Sequence, residues 1–307
     1  MELLLLILAA MFRMSFTLFV PALGETISQR AGVYNVAAEG YMLVGALSAY
    51  IATGITGSPW VGIIAGIAGG MLLSLVHAFL SINIKANQFV SGMALWLFSM
   101  GFTSYIFRTV KISEAGIKGF NPVEIPYLSD IPYIGRVLFS SNVLFYIGLV
   151  LIIVFYFLLY KTRFGLLIRS TGENPFAVDM AGYNVYKIRY GGVLICGAMS
   201  GLGGSYLPLV ILHNFNENMT AGRGFIALCI VILGRWNPLG VFIGSILFAF
   251  VDALQMQLQV LGSKIPYPLL LMLPYVVTII VLVGLGPIMK KAAAPKKLAV
   301  PYEKGEE

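Results

Sequence analysis

Residues able to do acid–base, nucleophilic or metal chemistry are few and scattered. His77 and His213 lie far apart, and Cys196 and Cys229 both sit in apolar runs, so neither a metal site nor a redox pair is indicated. There is no G-x-x-x-x-G-K-[ST] phosphate loop, no H-E-x-x-H and no G-x-S-x-G. The sequence therefore predicts no catalytic residue, no metal and no cofactor, and any ATP used must be bound by another subunit. Three ionisable residues, Arg13, Glu39 and Asp252, interrupt apolar stretches. A charge at the bilayer centre costs about 2.5–3.5 kcal/mol on insertion scales, so Arg13 should not face lipid unaided. Glu39 falls near a helix start, where the positive end of the dipole lowers its cost, and Arg30 is a candidate partner. Asp252 and His77 read as packing or interface residues.

A second informative stretch lies between Lys161 and Arg189. Asn174 can cap a helix, Pro175 suits its first position and Gly182 suits the residue after its end, which predicts a short helix over residues 175–181. Phe176, Ala177, Met180 and Ala181 share one face, while Asp179 points elsewhere. A helix of two turns does not stand alone. Its apolar stripe either fills a groove on a partner or folds back on the chain's own helix ends, and spacing leaves both open. Residues 31–40 and 221–228 read as glycine-broken helices. Such segments in the two halves of a chain point to a transport pathway, where exposed backbone is tolerated against a water-filled cavity; ordinary loop-to-helix junctions are the alternative.

The elements that must hold these residues are set by composition. Of 307 residues, 59% are hydrophobic and 11% charged, with a mean hydropathy of +0.89. Average soluble domains are about a quarter charged, so a surface of this size could not be clothed for water and lipid must cover most of it. Apolar runs of spanning length are predicted at about 3–23, 36–55, 60–82, 86–107, 142–160, 191–212, 224–234, 239–257 and 267–287. The fold class is thus all-α, a polytopic integral membrane bundle of about nine spans, with the run 224–234 too short to cross alone and read as half of a broken helix. Residues 1–289 form the membrane domain, with a cytoplasmic segment at 161–190, and residues 290–307 form a basic tail. Glu2 and Arg13 disfavour a signal peptide.

The net charge of +7 resides in Lys and Arg beside apolar runs, which fits the positive-inside rule and lipid headgroups and gives no reason to expect nucleic acid. Lys161, Arg163, Arg169, Lys187 and Arg189 place their loop in the cytoplasm, and Lys290, Lys291, Lys296, Lys297 and Lys304 place the tail there too. Counting spans puts Arg30, Lys85 and Arg235 on that side. The N-terminus, residues 56–59, 108–141, 214–223 and 262–264 fall outside. Many of the 34 glycines lie within the runs, and Gly66, Gly69, Gly70, Gly197, Gly201, Gly203 and Gly204 suit close helix packing.

Four stretches carry a resemblance. The run from Ser28-Gln29-Arg30-Ala31-Gly32-Val33 through Asn35, Glu39-Gly40 and Met42-Leu43 to Gly45-Ala46 resembles the S-E-R-A-G-V-x-N-x-x-x-E-G-x-M-L-x-G-A signature of ABC-importer permease subunits. The branch is that of nucleosides and simple sugars, related to ribose and branched-chain amino-acid permeases. Asn87-Gln88-Phe89-Val90-Ser91-Gly92, Gly172-Glu173-Asn174-Pro175-Phe176-Ala177 with Ala181-Gly182, and Gly222-Arg223-Gly224-Phe225 with Gly234-Arg235-Trp236-Asn237-Pro238 follow in order. Together they reach from about residue 14 to 286. Gln29, Val36-Ala37-Ala38 and Trp96 depart from the family pattern, which bears on the solute and leaves the short helix untouched.

The resemblance implies a permease subunit that imports a nucleoside or simple-sugar-type solute by alternating access. Its expected partners are ATP-binding subunits, a second permease, in a heterodimer by preference, and an extracellular solute-binding protein. Glu173, Asn174, Pro175, Phe176, Ala177, Met180, Ala181 and Gly182 would couple to the ATPase. Asn35, Glu39, Gly40, Asn87, Gln88, Gly92, Gly222, Gly224 and Phe225 would line the pathway. The competing readings are a secondary transporter driven by an ion gradient, for which deep ionisable groups are scarce, and a membrane-embedded enzyme, for which clustered catalytic side chains are lacking.

Overall fold

A computed structural model describes residues 2–110, 112, 117–124, 140–260, 266–289 and 294–304. Most of the expected outer loop 108–141, all of residues 262–264, and Lys290 and Lys291 lie outside them. The described helices are α1 (Glu2–Arg30), α2 (Ala38–Thr56), α3 (Pro59–Ala78), α4 (Gln88–Thr109), α5 (Val143–Lys161), α6 (Arg163–Glu173), α7 (Pro175–Met180), α8 (Val185–Tyr206), α9 (Arg223–Leu233), α10 (Pro238–Val260), α11 (Tyr267–Leu271) and α12 (Leu273–Met289). A π-helical turn extends α3 through Phe79–Asn83 and another extends α8 through Leu207–Ile211. The strands β1 (Pro122–Glu124) and β2 (Ser140–Asn142) pair antiparallel.

Among the described residues, six helical stretches are long and apolar enough to cross a membrane: Leu5–Arg30, Pro59–Asn83, Gln88–Thr109, Val143–Lys161, Val185–Ile211 and Pro238–Val260. The expected count of about nine is not confirmed among the described residues. The predicted segments 36–55, 224–234 and 267–287 do form helices, but α9 has only eleven residues, and α2 and α12 are not among the six. The protein is a predominantly helical, multi-pass membrane bundle.

Its core is built on α1, whose Phe16, Leu18, Phe19, Val20, Ala22 and Leu23 are completely buried. This helix is apolar all round because neighbours surround it: α8, α9 and α10 pack against it. The outer helices instead leave large apolar side chains exposed, among them Ile64 and Leu72 of α3, Ile153 of α5, Ile243 of α10 and Ile279 of α12. Exposure on that scale needs a lipid solvent. Arg13, near the middle of α1, is exposed. Its Nε donates to the Ala9 carbonyl at 3.3 Å.

Helix starts follow local chemistry. Side-chain oxygens of Asn87, Asn142, Thr162, Asn174 and Asn184 accept first-turn backbone N–H groups of α4, α5, α6, α7 and α8. The loops sort into two ends of the bundle. At one end Arg30 Nε donates to the Trp236 carbonyl at 3.2 Å, Lys297 N to Gly172 O at 2.9 Å, and Lys85 pairs with Glu303. At the other, Ile117 N donates to His213 O at 3.0 Å, Phe120 packs edge-on to Trp60, and Asn142 Nδ2 donates to Tyr206 Oη at 2.6 Å.

Candidate functional site

Helix α9 begins without a cap of its own. Gly222 precedes it at a φ of +83°, a left-handed conformation that glycine adopts without a Cβ penalty. The missing acceptor comes from α2: the Glu39 carboxylate accepts Thr220 Oγ1 at 2.6 Å, Gly222 N at 2.8 Å and Gly224 N at 2.6 Å. One buried carboxylate thus satisfies two of the N–H groups that a helix start leaves orphaned and lies on the positive end of the α9 dipole. The expected pairing of Glu39 with Arg30 is corrected: the N–H donors at the start of α9 are nearer than any guanidinium, and Arg30 bonds the Trp236 carbonyl at the bundle end.

This junction is deep in the bundle. Trp236, just past the end of α9, donates its indole N–H to Gln29 at the end of α1, at 2.6 Å. The eleven residues of α9 rise about 16 Å from there, roughly half of a hydrocarbon core about 30 Å thick. Glu39 therefore sits about 16 Å in from the Gln29–Trp236 end of the bundle.

A cavity of about 540 Å³ opens at this point, within the roughly 300–1,000 Å³ usual for small-molecule sites. It is lined by Glu39 of α2, Trp96 of α4, Asn218, Ala221 and Gly222 of the preceding loop, Arg223, Phe225 and Ile226 of α9, Asp252 and Gln255 of α10, and Pro274 and Tyr275 of α12. Trp96 and Phe225 meet edge to face with ring centroids 5.0 Å apart. Trp96 Nε1 and Arg223 Nε are buried donors without a hydrogen-bond partner, while Arg223 Nη1 reaches the Met219 and Thr220 carbonyls. The wall therefore combines the aromatic residues Trp96, Phe225 and Tyr275 with the polar residues Asn218, Arg223, Gln255 and Asp252. Among the described residues no group of three His, Cys, Asp or Glu could hold a metal ion.

Of the residues expected along a pathway, Glu39, Gly222 and Phe225 line this cavity. Gly224 stands beside them, where a Cβ would fall on the Glu39 backbone, and Gly40 packs on Ser99 and the Trp96 backbone. The others gather elsewhere. Asn35 joins a buried network in which its Nδ2 donates to Ser28 Oγ at 2.6 Å and its backbone N–H to Glu25 at 3.1 Å; Glu25 also accepts from Gln29 and Cys196. Asn87 caps α4, Gln88 accepts the Tyr34 N–H at 2.8 Å, and Gly92 lies against Val36 and Ala37. Arg223, Gln255, Asn218 and Tyr275 were missed, because no local pattern marks a polar residue as facing a cavity that five elements build together. Outside the bundle, Arg108 grips Glu217 with two bonds of 2.8 and 3.0 Å and holds its carboxyl below the usual range.

The short helix α7 spans Pro175–Met180, and Asn174 Oδ1 accepts the Ala177 N–H at 3.1 Å. Gly182 follows at a φ of +84°. Its buried side chains are Pro175 and Val178, so the helix is anchored on a residue outside the predicted stripe. Phe176 is half-buried, whereas Ala177, Ala181, Glu173 and Asn174 are exposed, and Met180 keeps 73% of its surface. The stripe is not folded back as a whole: Val178 turns inward and Met180 outward.

The family model for "Branched-chain amino acid transport system / permease component" matches residues 7–282. The guanosine ABC transporter permease protein NupQ of Bacillus subtilis (strain 168) is 38% identical over 94% of this chain and 93% of its own. The nucleoside ABC transporter permease protein NupC of Lactococcus lactis subsp. cremoris is 38% identical over 98% of both chains. The putative glucose ABC transporter permease protein TsgC13 of Haloferax volcanii is 40% identical over 83% of this chain and 78% of its own. No solved structure matches the chain. With its six spanning stretches and a family match covering most of its length, the chain belongs to this ABC-transporter permease family, as a multi-pass membrane transport subunit and not an enzyme in its own right.

Proposed function

We propose that this permease moves a nucleoside or simple-sugar-type solute into the cell, by alternating access driven by ATP-binding subunits. The observation that carries the reading is the pairing of a cavity deep in the bundle, built on the broken junction of α2 and α9, with an anchored helix α7 that leaves Ala177, Met180 and Ala181 uncovered. Aromatic residues interleaved with Asn218, Arg223, Gln255 and Asp252 suit a solute with an unsaturated or sugar ring and several hydroxyls, and the names of the relatives agree. A solute-binding protein delivers it from outside, and a second permease completes the pathway, in a heterodimer by preference. The N-terminus lies outside and the C-terminus in the cytoplasm. Residues 1–289 serve as the membrane domain and 290–307 as the tail.

Reconstitution tests this. The chain, a partner permease and ATPase subunits are placed in vesicles with the binding protein, and labelled guanosine and glucose are supplied. Uptake of either that needs ATP and survives ionophores is expected. Uptake that ignores ATP and collapses with the ion gradient would instead establish a secondary transporter.

A further inference from the structure

The C-terminal segment is bound into the bundle end more tightly than a trailing tail requires. Lys297 N donates to Gly172 O at 2.9 Å, Ala299 N to Gly32 O at 3.1 Å, and Val300 O accepts Arg189 Nη1 at 3.0 Å. Tyr302 stacks edge-on to Tyr186, its carbonyl accepts the Tyr186 hydroxyl at 3.4 Å, and Glu303 pairs with Lys85. Arg189 is 1% exposed, with Nη2 against Gly32. Burying a guanidinium to hold a tail carbonyl is costly unless the position matters.

The segment's partners belong to separate elements. Gly172 lies in the last turn of α6, three residues before α7 begins; Gly32 lies in the loop that leads from α1 to Glu39; Arg189 and Tyr186 belong to α8; Lys85 precedes α4, which carries Trp96. Only Leu298 separates the residue bonded to Gly172 from the residue bonded to Gly32. The link is a tight turn, in which Leu298 N donates to Pro295 O at 3.0 Å and Val300 N to Lys297 O at 3.3 Å, so it has little slack and a shift at the base of α7 reaches the α1–α2 loop directly. Glu173, Asn174, Pro175 and Phe176, at the start of α7, line one cavity with Lys297, Val300, Tyr302 and Glu303, which places the far end of the segment beside α7 as well.

We infer that residues 295–303 form a strap that passes movement of the ATPase-facing helix α7 to the α1–α2 loop, and so to Glu39 and the cavity, with Arg189 as the positioning residue that seats it. This rests on the function proposed above. The strap is not itself the docking surface, since its buried members, Pro295 and Tyr302, face the chain's own helices.

The test reads the cavity directly and needs no solute. Ala221→Cys is placed in a background carrying Cys196→Ser and Cys229→Ala. The complex with its ATPase subunits and partner permease is reconstituted in vesicles, and maleimide labelling is timed with and without ATP and vanadate. In the full-length chain the nucleotide should change the labelling rate several-fold. With residues 294–307 deleted, that change should vanish while the ATPase subunits still co-purify and hydrolyse ATP. A deletion that keeps the several-fold change overturns the strap and leaves the transport reading intact. A deletion that loses the ATPase subunits also overturns it, by making the segment a docking surface. No nucleotide effect in the full-length chain would sink the ATP-driven reading and the strap together. Should the deleted chain fail to insert, Tyr302→Ala decides by the same criteria, with the nucleotide effect expected to fall by at least half.

Discussion

Glu39 at the start of α2 holds the backbone N–H of Gly224, 185 residues further along the chain, at 2.6 Å. The bond joins the two glycine-broken segments deep in the bundle, so neither α2 nor α9 can shift along its axis without exposing buried donors. An unsatisfied buried N–H costs about 1–3 kcal/mol, and Glu39 serves two of them together with Thr220. Glu39→Ala should therefore lower the melting temperature of the detergent-purified protein markedly. Glu39→Gln keeps one oxygen acceptor and loses the charge on the helix dipole, a loss of roughly 0.3–2 kcal/mol, so its drop should be smaller. Equal melting for Glu39→Ala and the unaltered protein would remove the capping role.

The exposed face of α7 gives a second prediction. Met180→Ala removes a side chain that is 73% exposed, whereas Val178→Ala removes one that is buried. If Met180 enters a groove on an ATPase, full burial contributes about 1.5–3 kcal/mol, and its loss weakens association by one to two powers of ten at about 1.4 kcal/mol each. Pull-down of ATPase subunits should weaken for Met180→Ala at unchanged melting temperature. Val178→Ala should do the reverse. Retention unchanged by Met180→Ala combined with Phe176→Ala would detach α7 from coupling.

Sidedness can be read by labelling. Lys118 is exposed at the bundle end with His213, and Arg163 is exposed at the start of α6. Single cysteines at these positions, with Cys196 and Cys229 removed, should react from opposite sides of sealed vesicles with an impermeant maleimide. Reaction from one side alone would overturn the orientation proposed for the chain.

Helix ends were legible in the sequence because they are local. Apolar runs expected at 60–82 and 142–160 appear as Pro59–Asn83 and Val143–Lys161, bounded by Pro59 and by Asn142, whose oxygen caps the helix it precedes. Amphipathic α6 was read as loop because Arg163, Arg169 and Glu173 break the apolar pattern, although Thr162 followed by Gly165 was the available cap signal. Glu39 was recognised as special from its place at a helix start, but its partners were not, since an acceptor for N–H groups 183 and 185 residues away leaves no mark in local spacing. The same holds for the burial of Arg189 by the tail.

Close packing by glycine yields the last prediction. A Cβ added at Gly45 of α2 would lie 2.6 Å from the Cα of Gly201 on α8, a backbone contact that cannot be relieved by turning a side chain. Inserting one methyl into a well-packed core costs about 1–3 kcal/mol, and in lipid the close approach of helix backbones is itself the main attraction between them. At Gly101 on the exposed face of α4, a Cβ would meet nothing within 4 Å. There alanine should help slightly, since replacing a helical glycine stabilises by about 0.4–1 kcal/mol through the unfolded state. Gly45→Ala should therefore melt lower than the unaltered protein and Gly101→Ala level with it or higher, in detergent-solubilised samples followed by size-exclusion fluorescence. Were the two substitutions to melt alike, α2 and α8 would not be held at glycine distance.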